Sequence, residues 1–178
     1  VQGDFLLHPL PDGFHYVVGN PPYVRQELIP DALIAEYRRQ FTTVFDRADI
    51  YIPFIERSLS LLAEGGALGF ICADRWMKNR YGGPLRKMVA EGYRLKFYVD
   101  MVDTPAFHSE VIAYPAITVI TRERPGPTRL AHRPAITPQA LTALSRAMLD
   151  DTDTLSADIK EIKGVAAGAD PWILESFD

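Results

Sequence analysis

Apolar and polar positions follow two rhythms along this chain. Phe14-His15-Tyr16-Val17-Val18 is aromatic and β-branched, and Gly19-Asn20-Pro21-Pro22 stops it abruptly. That pattern predicts a short buried strand running into a rigid loop. A helix is expected from Asp31, as N-cap, through Arg39. Asp49 then precedes Ile50, Phe54, Ile55, Leu59, Leu61 and Leu62 at helical spacing, with Pro53 tolerated in the first turn and Glu64-Gly65-Gly66 as a glycine C-cap. Ala67 to Cys72 is a continuous apolar run, the mark of a parallel strand covered on both faces. Gly83-Pro84 opens a helix through Val89 that ends at Gly92, and Leu95 to Val102 reads as a third strand. Strands and helices alternating in this way predict a doubly wound α/β sheet. Ile112 to Thr121 makes a fourth strand after only about ten residues, a connection that suits antiparallel pairing better than a parallel crossover.

Beyond Glu123 the rhythm breaks. Pro125, Pro127, Pro134 and Pro138 read as an exposed linker, Thr137-Pro138 starts a short helix to Leu149, and the stretch that follows predicts no element. Charge divides at the same place. The whole chain of 178 residues carries −4, yet from Asp150 onward eight acids face two bases, leaving residues 1–149 at +2. A mildly basic body can hold a basic stripe, and Arg75, Lys78, Arg80, Arg86, Lys87, Arg94 and Lys96 are opposed only by Asp74 and Glu91. As a bare pattern this is equally a solvated helix face.

Cysteine and hydropathy narrow the class. One cysteine, Cys72, excludes a disulfide framework or a multi-cysteine zinc site within the chain. No apolar run approaches the roughly 20 residues of a membrane-spanning helix, and Val1 to Pro11 lacks the shape of a signal peptide, so a cytoplasmic protein is expected. His8, His15, His108 and His132 share no short spacing and suggest no metal pair. Asp158 with Glu161-Ile162-Lys163 imitates a nuclease signature without strands to converge it on a metal.

The chemistry sits in Asn20-Pro21-Pro22-Tyr23, at the carboxyl end of a strand, where open α/β sheets place their ligand crevice. An exocyclic amine on a purine or an amide is a poor nucleophile, because its lone pair is delocalised. An Asn oxygen and a backbone carbonyl, each accepting an N–H bond, favour a pyramidal nitrogen with its lone pair aimed outward. Two prolines hold the Pro21 carbonyl in one direction, and Tyr23 offers a flat face for a planar substrate. Read without such chemistry, the same tetrapeptide is a rigid strand-to-helix turn.

Gly19-Asn20-Pro21-Pro22-Tyr23-Val24-Arg25-Gln26-Glu27 resembles the catalytic motif of S-adenosylmethionine-dependent amino-methyltransferases. It is most similar to adenine-N6 DNA methyltransferases of the gamma class, especially the Eco57I-type modules of type IIG restriction–modification enzymes. Ala48 to Leu62, Gly65 to Ile71, Asp74-Arg75-Trp76-Met77 and Phe107 to Ile120 extend the likeness, which runs from Gly3-Asp4-Phe5-Leu6 to about Arg124. The resemblance implies a partial Rossmann-like methyltransferase fold whose antiparallel strand lies between Ala67–Cys72 and Leu95–Val102. It implies a C-terminal catalytic part over residues 1–124, with 125–178 as linker and start of a target-recognition region.

By the same resemblance Asn20 and Pro21 accept the adenine N6 hydrogens, within a catalytic loop that includes Pro22. Tyr23 stacks on the flipped base and Phe107 meets it from the other side. Asn20 and Phe54 border the cofactor S-adenosylmethionine. Apart from the resemblance, the basic stripe follows a strand whose carboxyl end should face the active cleft, so Arg75, Lys78 and Arg80 are expected against the backbone of double-stranded DNA. The glycine-rich cofactor loop and ribose-binding acid of such enzymes are missing, since Gly65-Gly66 precedes a strand and Gly164 and Gly168 follow none. The chain is therefore expected to need an N-terminal half of the fold and to be inactive alone. Two alternatives keep or change the class: a glutamine or RNA-adenine methyltransferase fragment, and a non-catalytic DNA-binding or scaffold remnant.

Overall fold

The computed structural model describes residues 3–106, 114–150 and 158–174. Its six described strands are β1 (Phe14–Gly19), β2 (Leu62–Ala73), β3 (Arg94–Asp100), β4 (Pro115–Thr121), β5 (Thr128–His132) and β6 (Lys160–Ile162). They form one sheet in the order β1-β2-β4-β3-β5-β6. β1 runs parallel to β2, and β4 is antiparallel to both neighbours, β2 and β3. The expected insertion of the antiparallel strand is therefore present. It begins at Pro115, and Ile112 and Ala113 lie outside the described residues.

The described residues form four α-helices: α1 (Asp31–Gln40), which packs with Leu6, Phe41, Val44 and Ile50, and α2 (Tyr51–Ser60), α3 (Gly83–Gly92) and α4 (Pro138–Leu149), which cover the sheet. Ile52, Ile55 and Leu59 of α2 and Leu85 and Val89 of α3 bury one face of the sheet around Leu68, Phe70, Leu95 and Ile120. On the other face, Met148, Leu144 and Ala147 of α4 pack over Val99, Ala131 and Ile117. That cover stops short of β1. β1 is an edge strand, as expected of a sheet that needs a further segment beside it, and Tyr16 is 78% and Val18 81% exposed, so the burial that its composition predicts is not present among the described residues. An apolar edge strand with a bare face is a surface that favours pairing and covering.

Other expectations change for local reasons. α2 ends at Ser60, and Gly65-Gly66 belong to β2 instead of capping the helix. Phe14 pairs with Leu62 but Tyr16 with Ala67, so β2 carries a bulge between them. Gly65 takes φ +72° there, and a Cβ on Gly66 would stand 2.8 Å from the Phe14 carbonyl oxygen. Asp31 is the first helical residue after Pro30, and Asp49 lies before the Ile50 cap, so neither side chain caps a helix. The proline-rich segment expected to be an exposed linker contains β5, whose Leu130 and Ala131 are buried and which pairs in parallel with β3. The prolines bracket this strand and leave its interior free, as edge and turn prolines can. β6 then pairs with β5, making six strands where four were expected.

Candidate amine-binding loop

β1 delivers Asn20 to the carboxyl end of the parallel pair β1–β2. Pro21 is buried, whereas Asn20, Pro22 and Tyr23 are exposed, so the chain is pinned at the first proline with the polar and aromatic groups outward. No hydrogen bond engages the Asn20 amide among the described residues, which leaves its acceptor open to a ligand. Downstream, the Ile50 amide donates to the Val24 carbonyl at 2.9 Å. Buried Gln26 donates to the Asp46 carbonyl and accepts from Arg38 at 3.0 Å. The Val-Arg-Gln stretch after Tyr23 thus fastens the loop to the segment before α2 and to α1.

Tyr23 leans on Tyr51, with ring centroids 5.8 Å apart at 40°. Burial pushes its phenol up to about 12, the neighbouring Cys72 adds to this, and a backbone hydrogen bond at Ala73 opposes it. The hydroxyl is therefore neutral near pH 7 and reaches the end of β2. Cys72 is itself pushed up to about 12 by burial and by Asp74, which makes it an inert core thiol. Asp49 is raised by burial, with Arg25 and Arg75 opposing the shift and Glu27 adding to it. Its carboxylate thus lies within electrostatic reach of two arginines, Arg25 after the loop and Arg75 after β2.

The rim after β2 is built on a buried carboxylate. Asp74 accepts from the Tyr98 hydroxyl at 2.8 Å and stands 3.8 Å from Lys78 Nζ. Arg75 lies over the Tyr114 ring at 4.8 Å, and Arg80 is exposed beyond it. The rest of the basic stripe disperses. Arg94 and Lys96 pair with Glu123 at 3.7 and 3.8 Å, and Lys87 pairs with Glu91 at 3.9 Å. Arg86, expected on a solvated face, is only 3% exposed and donates to the carbonyls of Trp76, Asn79 and Ala169. Arg75, Lys78 and Arg80 follow β2 on two short turns, Arg75–Met77 and Arg80–Gly82, with all three side chains exposed.

Phe54, one turn into α2, is half-buried and stacks on Phe5 at 4.9 Å and 30°. Phe107 lies outside the described residues. For an S-adenosyl cofactor the described residues offer a partial fit: an aromatic wall at Phe54 and the open amide of Asn20, without a glycine loop following a strand. Sequence reasoning missed Tyr51, Asp74 and Tyr114. Tyr51 is hidden in the apolar face of α2, and only contacts across the sheet reveal the other two.

Known proteins resemble this chain both in sequence and in fold. The Type II methyltransferase M.PaeR7I of Pseudomonas aeruginosa is 66% identical over 99% of this chain, and M.XhoI of Xanthomonas vasicola is 56% identical over 100%. The chain spans only 31% and 33% of those two proteins. In fold it resembles a type I restriction–modification methyltransferase subunit of Streptococcus thermophilus, with a TM-score of 0.67 at 13% identity over 90% of this chain and 37% of that one. The type IIG endonuclease BpuSI gives 0.64 at 18% identity over 90% of this chain and 20% of that one. Residues 5–107, which include the loop, α2 and the first three strands, match the Eco57I restriction-modification methylase description. The chain belongs to the Eco57I restriction-modification methylase family.

Proposed function

We propose that this chain is the amine-positioning part of an enzyme that methylates N6 of adenine in double-stranded DNA, within a restriction–modification system. The observation that carries the reading is the loop itself: an exposed Asn20 with an uncommitted amide, a buried Pro21, and a Tyr23 ring backed by protein. The Asn20 oxygen and the Pro21 carbonyl accept the two N6 hydrogens and hold the nitrogen pyramidal, its lone pair aimed away from the ring plane. Tyr23 stacks on the base drawn from the duplex. When bound, S-adenosylmethionine would supply an electrophilic methyl group, its sulfonium–methyl bond breaking as S-adenosylhomocysteine leaves. Asn20 and Phe54 are the residues that would border it. The proton that the methylated N6 gives up would pass along its bonds to the loop and on to water.

Arg75, Lys78 and Arg80 face the DNA phosphates from the rim, where charge without base-specific geometry is what the backbone requires. The polypeptide that completes the cofactor site pairs with the free edge of β1 and covers Tyr16 and Val18. Support for this comes from their exposure and from the short share of the relatives that the chain spans. In this reading residues 1–124 belong to the catalytic unit, and residues 125–178 lead toward a target-recognition region. The protein works in the cytoplasm, where such DNA lies.

One assay tests the reading. Duplex DNA, RNA and a glutamine-bearing protein are offered with tritiated cofactor to the chain alone and to the chain supplemented with the segment completing its sheet. The expected result is label on adenine N6 of DNA in the supplemented sample only. Label on RNA or glutamine would transfer the loop to another substrate, and turnover by the 178-residue chain alone would refute the need for completion.

A further inference from the structure

We infer that Tyr51 is a positioning residue for Tyr23, its buried ring setting the plane in which Tyr23 meets the target base; the inference rests on the base-stacking role proposed for Tyr23. Tyr51 opens α2 and has no exposed surface, whereas Tyr23 is 48% exposed. With ring centroids 5.8 Å apart and planes tilted by 40°, Tyr51 is the buried aromatic neighbour of Tyr23, whose own surface stays about half exposed. An unsupported tyrosine would sample several rotamers and lose that freedom whenever a base stacked on it. A buried ring behind it removes part of that cost before the base arrives.

The Tyr51 hydroxyl tells which part of the side chain matters. It lies close to the Tyr81 hydroxyl, and burial followed by that neighbour raises its pKa. Yet no well-formed hydrogen bond satisfies it. A buried hydroxyl without a good partner contributes little to holding the ring, so the aromatic face is what acts.

The test uses the sheet-completed, methylating protein, with DNA carrying 2-aminopurine at the target adenine for the base-flipping readout. Tyr51→Phe should keep single-turnover methyl transfer within about threefold. Tyr51→Met, close in volume and without a ring, should slow it by about tenfold, leave KM for DNA within about threefold, and diminish the 2-aminopurine fluorescence change. In a Tyr23→Leu background, Tyr51→Met should cost nothing more, because its effect passes through Tyr23. Tyr51→Leu takes its place in the cycle if Tyr51→Met does not fold. Ring-free variants that fold and keep the wild-type rate, losses that multiply in the double variant, or a tenfold loss in Tyr51→Phe would each overturn the inference. Absence of methyl transfer by the unmutated protein would instead overturn the proposed function on which it rests.

Discussion

Trp172 packs edge-on against Trp76, their ring centroids 5.3 Å apart at 66°, and its backbone amide donates to the Met77 carbonyl at 2.8 Å. Both rings are almost wholly buried, at 2% and 0% exposure. The packing joins the far end of the chain to the turn carrying Arg75, Lys78 and Arg80. Nearby, a Cβ on Gly82 would fall 1.8 Å from the Trp76 carbonyl oxygen, so that turn is packed without slack. Trp172→Ala should therefore destabilise the protein by about 3–5 kcal/mol in urea unfolding. Ile173→Ala, at a residue 68% exposed, should change stability by less than about 0.5 kcal/mol. Equal effects would show that the tail is not part of the core.

Those tail residues also mark where the sequence stops being readable. Strands β2, β3 and β4 were legible because apolar runs and a short connection constrain them locally. Asn20, Pro21 and Tyr23 were legible because residue type alone states the chemistry. β5, Trp172 and buried Arg86 were not, since each depends on a partner far along the chain: β3, Trp76 and three carbonyls. Proline spacing around β5 looks the same whether the strand between is bare or paired. β1 misled only in its burial. Its composition is that of a covered strand, yet Tyr16 and Val18 are bare among the described residues.

Glu56 is 9% exposed and accepts from the Thr42 amide and hydroxyl and the Thr43 amide, at 3.2, 3.1 and 2.9 Å. It ties the segment after α1 to the helix that presents Tyr51 and Phe54. Replacement by Leu would leave two backbone donors unpaired, and Glu56→Leu should cost about 3 kcal/mol in denaturant unfolding. A decrease below about 1 kcal/mol would mean the segment is held elsewhere.

Cys72 makes stability depend on alkaline pH. Its folded value of about 12 lies above the ordinary 9.0, so the folded protein keeps a proton that the unfolded chain gives up. The resulting stabilisation is complete below pH 9 and is lost as pH rises through the window up to about 12. Between about pH 8 and 10.5 the thiol should account for a decline of about 2 kcal/mol. Cys72→Ala should remove that part of the decline, as read from urea melts at both pH values. An identical decline in the variant would assign it to the buried tyrosines.

Reversing charge at the rim should act without regard to sequence. Lys78→Glu with Arg80→Glu is expected to weaken DNA binding by the completed protein at every site tested. The slope of log affinity against log salt should flatten by about 0.9 for each phosphate that is no longer neutralised. Fluorescence anisotropy across a salt series reads both. A penalty confined to one base position would instead make these side chains base readers.

Asn20→Ala in the completed protein isolates the contribution of the amine-holding side chain, measured as the single-turnover rate of methyl transfer to adenine in duplex DNA. If the Asn20 oxygen holds the reacting amine, the rate should fall by about a hundredfold to a thousandfold. DNA affinity should stay nearly unchanged, because the side chain acts on the amine and not on the duplex. A rate within about threefold of the unmutated protein would contradict the assignment of this loop as the amine-positioning site.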